Sequence, residues 1–140
     1  MANPGPATTN TNHPSNLATN QALRLIASAE GVNLNSVGDT IAPILASGRV
    51  SVQSIIVTNA SVDLTTAQLA VYTGAAAAGT AIKTAYALTG NTTAAKVVVT
   101  AATSTDAVTG TPLYIRNTTV QGAAATADVF IYGYDLSFLP

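Results

Sequence analysis

The chain has no cysteine, no tryptophan and a single histidine, His13, and only five Lys or Arg and six Asp or Glu stand among its 140 residues. Each scarcity removes a class of function. Without cysteine there are no disulfides and no thiolate metal sites, which fits assembly in a reducing compartment without requiring it. His13 lies between Asn12 and Pro14, in a segment too rich in Pro, Asn and Thr to position a catalytic imidazole, so a Ser-His-Asp arrangement is not expected. Zinc needs three or four His, Cys or carboxylate ligands brought together. Asp39, Asp63, Asp106, Asp128 and Asp135 are scattered and never form a calcium-loop run. The one glutamate, Glu30, lies outside the strand-rich region, which leaves no glutamate there for a paired-carboxylate glycosidase site. The expectation is a protein that is not an enzyme and holds no cofactor and no metal.

The charged fraction of 8% is far below the roughly 25% of ordinary soluble chains. A net charge of -1 offers no basic stripe for phosphates and no polybasic segment for anionic lipid, so neither nucleic acid nor membrane is an expected partner. No apolar run reaches the 18 or so residues a spanning helix needs. The first 20 residues lack both a basic n-region and an apolar h-region, so they do not read as a signal peptide. With so few charges to keep it apart from its neighbours, much of the surface is expected to face another protein.

What the chain does have is 48% apolar residues, arranged as short Val/Ile/Thr/Ala runs between Gly, Asn and Thr clusters. Residues 1–19, with Pro4, Pro6 and Pro14, read as a flexible N-terminal arm. Residues 20–38 read as a linker. Within it Ala22, Leu23, Ile26 and Ala27 recur at helical spacing, and Asn20 as N-cap with Gly31 just past the end predicts a short helix. From residue 39 to 140 the period becomes two. Strands are expected at about 40–45, 50–58, 68–73, 80–88, 95–101, 112–117 and 127–136, separated by turn chemistry such as Ser47-Gly48, Gly90-Asn91 and Gln121-Gly122. Strands without intervening helices predict an all-β, antiparallel two-sheet sandwich of jelly-roll, Greek-key type.

The faces of the strands add to this. Over 80–88, Ile82, Tyr86 and Leu88 share one face, and Ala81, Lys83, Ala85 and Ala87 the other. Over 127–136 both faces are apolar: Phe130, Tyr132, Tyr134 and Leu136 lie on one side, Val129 and Ile131 on the other. A strand wetted on one side should show a polar alternate. Either the chain's own arm or loops cover the second face, or a protein partner does. Phe130, Tyr132 and Tyr134 are therefore candidate partner-binding residues, together with the scarce cations Arg24, Arg49, Lys83 and Arg116, which a partner could use to fix orientation. The run from Gly74 to Thr80 lacks the lysine of a phosphate loop and reads as a small-residue hairpin loop. The Asn-x-Ser/Thr triplets at Asn59, Asn91 and Asn117 read as turn and strand-end residues, and the five tyrosines as core-edge residues more than as a sugar platform.

The stretches from Val37 to Ile44, Ile55 to Ser61, Leu69 to Thr73, Pro112 to Arg116 and Ala127 to Gly133 resemble strand sequences of small virion proteins of tailed bacteriophages. In size and style the chain is similar to the jelly-roll cement, or decoration, proteins of phage heads. The resemblance spans about residues 37–136 and carries no catalytic signature. It implies a structural protein made in the host cytoplasm and mounted on the outer surface of the capsid. Its partner would be the major capsid protein, whose capsomer joints it would clamp. Other copies of the chain are a second expected partner, as a dimer on grounds of symmetry, with a trimer left open. The alternative is the receptor- or glycan-binding head of a phage fibre or spike.

Overall fold

The computed structural model describes residues 22–46, 48–94, 96–100, 104–109 and 112–137. Among these residues nine strands follow in chain order: β1 Arg24–Asn33, β2 Gly38–Ala42, β3 Arg49–Thr58, β4 Gln68–Tyr72, β5 Ala81–Ala87, β6 Val97–Thr100, β7 Val108–Thr109, β8 Leu113–Thr119 and β9 Thr126–Asp135. One sheet runs β1-β9-β3-β6, with short β7 also paired to β3; the other runs β2-β8-β4-β5. Every pairing is antiparallel.

This order is the jelly roll. The β4-β5 hairpin is the tip of one long folded ribbon, in which β3 pairs with β6 and β7, β2 with β8, and β1 with β9. Rolling that ribbon places β9 between β1 and β3, and β8 between β2 and β4. The expected all-β sandwich is what the chain forms. The arm expected over residues 1–19 lies outside the described residues.

Period-two patterning explains the strands that pack the core. In β8, Leu113, Ile115 and Asn117 are buried while Tyr114 and Arg116 turn outward. In β9, Ala127, Val129, Ile131, Gly133 and Asp135 are buried, alternating with the half-buried Asp128, Phe130, Tyr132 and Tyr134. The β9 residues share one core with Leu69, Val71, Ile82, Leu113 and Ile115 of the second sheet, all with no exposed surface. Each such side chain contributes about 1.5–3 kcal/mol by leaving water.

The helix expected over residues 20–30 is not there. Arg24–Asn33 is a strand at the edge of the first sheet, so the sandwich begins well before residue 39. Two bulges explain the misreading: the register with β9 shifts between Leu25 and Ala27 and again between Ala29 and Val32. Each shift changes which side the next residue faces, so the buried positions fall at Ile26, Ala27, Ala29 and Val32 without strand alternation, while Ala22 and Leu23 of the expected helical stripe precede the strand and are exposed. Gly31 does adopt a left-handed φ of 62°, as a helix-terminating glycine would, but it does so inside the second bulge. There its N–H donates to Asp128 Oδ1 at 2.8 Å.

Candidate functional site

The seven candidate residues divide between the two sheets. Phe130, Tyr132 and Tyr134 form a single line along the outer face of β9, the strand flanked by β1 and β3. Phe130 lies opposite Ser28 on one side and Ile56 on the other, Tyr132 opposite Leu25 and Ser54, and Tyr134 opposite Ser51. Arg49 opens β3 at the Tyr134 end of this face and is exposed. The five charged residues of β1, β3 and β9 all lie toward the ends of the sheet. Arg24, Arg49 and Asp135 are at one end, Glu30 and Asp128 at the other. Among the described residues the middle of the face carries uncharged side chains only: aromatic, aliphatic and hydroxyl groups and the Gln53 amide, which donates to Ser51 Oγ at 2.9 Å.

Arg24 is not available to a partner in the way expected. Its guanidinium is ion-paired with the buried carboxylate of Asp135. That carboxylate also accepts from the Ser137 backbone N–H at 2.9 Å and from the Ser137 hydroxyl. Burial acts to raise the Asp135 pKa, but the Ser137 bonds and the Arg24 charge outweigh it and hold the group below the usual carboxylate range. The pair ties the first residue of β1 to the last of β9 and is structural.

Arg116 is committed in the same way on the second sheet. Its guanidinium donates to Asp39 Oδ1 at 2.9 Å, and Asp39 Oδ2 accepts from the Ala76 N–H at 2.6 Å. That bond draws the short 3-10 turn Ala75–Ala77 of the hairpin loop toward the outer face of β2 and β8. Lys83 on β5 lies 5.9 Å from the centroid of the Tyr86 ring, at the outer limit of a cation–π contact. The Tyr86 hydroxyl is itself buried, and desolvation raises its pKa well above the usual value. Of the four candidate cations, Arg49 alone shares a face with the aromatic line.

The other sequence features resolve as follows. Asn91 and Asn117 are buried, so neither can carry a glycan in the folded protein, and Asn59 spends its side-chain N–H₂ on Asp128 Oδ2 at 2.8 Å. The tyrosines do not gather into one platform, since Tyr72 and Tyr114 are neighbours on the second sheet and Tyr132 and Tyr134 lie on the first. Among the described residues no three His, Cys, Asp or Glu side chains come together to hold a metal ion. His13 lies outside the described residues.

Compared with protein-family models, curated proteins and solved structures, the chain matches none. Function must be read from its own surface.

Sequence reasoning missed one place. A cleft of about 240 Å³ opens between the edge of β5 and the segment that leads into β7. It is lined by Thr73, Thr80, Ile82, Ser104, Asp106, Ala107, Val108 and Thr109. Asp106 read in sequence as one scattered aspartate among five, and nothing local to residues 104–109 announces that they return to face residues 73–82.

Proposed function

We propose that this chain is a structural virion protein, a cement or decoration protein that binds the outer surface of a phage shell and stabilises the joints of its major capsid protein. The observation that carries the reading is the outer face of β9, where Phe130, Tyr132 and Tyr134 stand in line with charge confined to the ends. The centres of protein interfaces are depleted of charge and enriched in aromatic anchors. A chain with 8% charged residues supplies such a surface and little else. The jelly roll suits the role because both sheets are locked by the same rolled ribbon, giving a stiff plate that can be repeated over a shell.

Two measurements test it. The copy number of the protein in purified particles from its source, set against the most abundant shell protein, should be a simple ratio corresponding to hundreds of copies. A few tens would favour a fibre or spike head, and absence from particles would end the virion reading. Tyr132→Glu, which places a charge at the centre of the line, should abolish rebinding to stripped shells, whereas Ala85→Glu on the exposed part of β5 should leave it intact. Equal binding by both variants would show that this face is not the contact.

A further inference from the structure

The edges of the two sheets are not alike. β1 is bulged twice along β9, and its free side is occupied where the Leu45 N–H donates to the Ile26 carbonyl at 2.7 Å and Ile44 bridges to Ala27. The register of β5 on β4 shifts twice, and β5 carries Lys83. The other edge of the first sheet is divided into two short pieces, β6 of four residues and β7 of two, both paired to β3. Bulges, lysines, short strands and covering segments are the devices that keep a sheet edge from pairing with another chain. Among the described residues β2 shows neither bulge, lysine nor cover. It pairs with β8 from Gly38 opposite Asn117 to Ala42 opposite Leu113 with no register shift, has no strand on its other side, and carries one charge, Asp39.

Exposed apolar side chains run along this same edge. Val37 just ahead of β2, Ile41 on it and Leu45 just past it are 57%, 59% and 63% exposed. Ile41 lies opposite Tyr114 of β8, and Tyr114 opposite Tyr72 of β4, so an apolar row crosses the outer face of the sheet and ends in water at β2. We infer that β2 is the joint between two copies of this chain, whose β2 strands pair antiparallel about a twofold axis at Ile41 and join two four-stranded sheets into one of eight.

The pattern of the edge selects a second copy as its occupant. Val37, Ile41 and Leu45 are evenly spaced, so an axis at Ile41 sets that side chain against its own copy and turns the Val37 end of one strand toward the Leu45 end of the other. A twofold contact brings each group near the axis close to its own copy, which penalises an unpaired charge there. Asp39 is already held by Arg116 and the Ala76 N–H of its own chain, and pairing about Ile41 sets it opposite Pro43, not opposite a second Asp39. Pro43 has no N–H to donate, so the ladder stops there. The apolar row then runs unbroken from one Tyr72, through both Ile41 side chains, to the other Tyr72. The inference does not depend on the shell-binding reading, because β2 and β9 belong to different sheets. An axis perpendicular to the joined sheet leaves the β9 faces of both copies free and on the same side.

Sedimentation equilibrium of the full chain from about 1 to about 100 µM tests the joint, a range that spans micromolar association. The expected result is a monomer–dimer equilibrium with a limiting mass of twice 14.0 kDa. Ile41→Lys sets two ammonium groups together at the axis and should raise the dimer dissociation constant at least about tenfold. Val62→Lys, which charges an exposed apolar position in the loop between β3 and β4, should leave it unchanged. A second measurement does not depend on how the lysine variant folds. The chain has no cysteine, so Ile41→Cys supplies one thiol per copy. Directly opposed residues of an antiparallel pair have Cα atoms about 4.5–5.5 Å apart, within disulfide reach, so oxidised glutathione should cross-link Ile41→Cys into dimers at least about tenfold faster than Val62→Cys. A monomer throughout the range, a trimer, a dimer as tight with Ile41→Lys as without it, or equal cross-linking of the two cysteine variants would each overturn the inference.

Discussion

Gly133 on β9 meets the Ser51 carbonyl of β3 so closely that a Cβ at this position would lie 2.1 Å from that oxygen. The approach is set by a bulge: the β3–β9 register shifts between Val52 and Ser54, swinging the Ser51 peptide toward β9. Because the obstacle is backbone in the middle of a sheet, it cannot rotate away as a side chain would.

Gly133→Ala should therefore destabilise the fold by about 3 kcal/mol, the upper range for forcing extra volume into a packed interior. Urea unfolding of the variant should show a lower midpoint with unchanged slope. A loss under about 0.5 kcal/mol would mean that β9 and β3 can separate there at little cost.

Gln121 does for one loop what a helix cap does for a helix. Its Oε1 accepts from the N–H groups of Thr65, Thr66 and Ala67 at 3.1 to 3.2 Å, and its Nε2 donates to the Asp63 carbonyl and Thr65 Oγ1. Gln121→Ala strips three backbone donors of their acceptor at once and should cost about 2 kcal/mol. Hydrogen exchange should accelerate at Thr65, Thr66 and Ala67 more than at the β9 amides. Gln121→Glu keeps the acceptor and loses the donor, so it should protect those three amides better than alanine does.

These relationships mark the limit of what the sequence discloses. The strands from β2 onward, apart from two-residue β7, are legible as β-branched and apolar runs between turn clusters, and in β8 and β9 the buried residues also alternate, as Leu113, Ile115 and Asn117 do. β1 is not, because two bulges destroy the alternation on which the reading depends. The line of Phe130, Tyr132 and Tyr134 is legible, being three alternate residues of one strand. The Asp106 cleft, the Gln121 loop anchor and the Ser51–Gly133 approach join residues more than 20 positions apart, and no local pattern encodes the distance between them. Nor does the sequence disclose that Arg24 and Arg116 are occupied by Asp135 and Asp39.

The Arg24–Asp135 pair makes a pH-dependent contribution of definite sign. The folded Asp135 pKa lies below its unfolded value, so the unfolded chain binds its proton first as pH falls, and stability decreases toward acid. The contribution is complete above the ordinary aspartate pKa of about 3.9 and is lost as pH falls through the lower folded value. Unfolding free energies of the native chain and Asp135→Asn, measured from pH 6 to about pH 2, should differ by a constant amount above about pH 5 and converge below about pH 4. A difference as large at the acid end as at pH 6 would show that Asp135 does not titrate with unfolding.

Tyr86 reverses the usual expectation for removing a buried tyrosine hydroxyl. Its oxygen is buried and has no hydrogen-bond partner among the described residues, while its ring packs against the core beside Leu69 of the neighbouring strand. A buried hydroxyl bonded to the protein stabilises by about 1 kcal/mol, so its deletion normally costs that much. Here the hydroxyl has given up water without replacement, and folding carries its desolvation as a penalty of about 1–3 kcal/mol. Tyr86→Phe keeps the ring and removes the penalty, so it should raise stability by about 1 kcal/mol and shift the thermal midpoint upward by a few degrees. Tyr86→Leu separates the two contributions, because it removes the same oxygen but also the aromatic volume, and should fall below the phenylalanine variant. A destabilised Tyr86→Phe would show that the hydroxyl is bonded in solution, and that its partner holds this end of β5 in place.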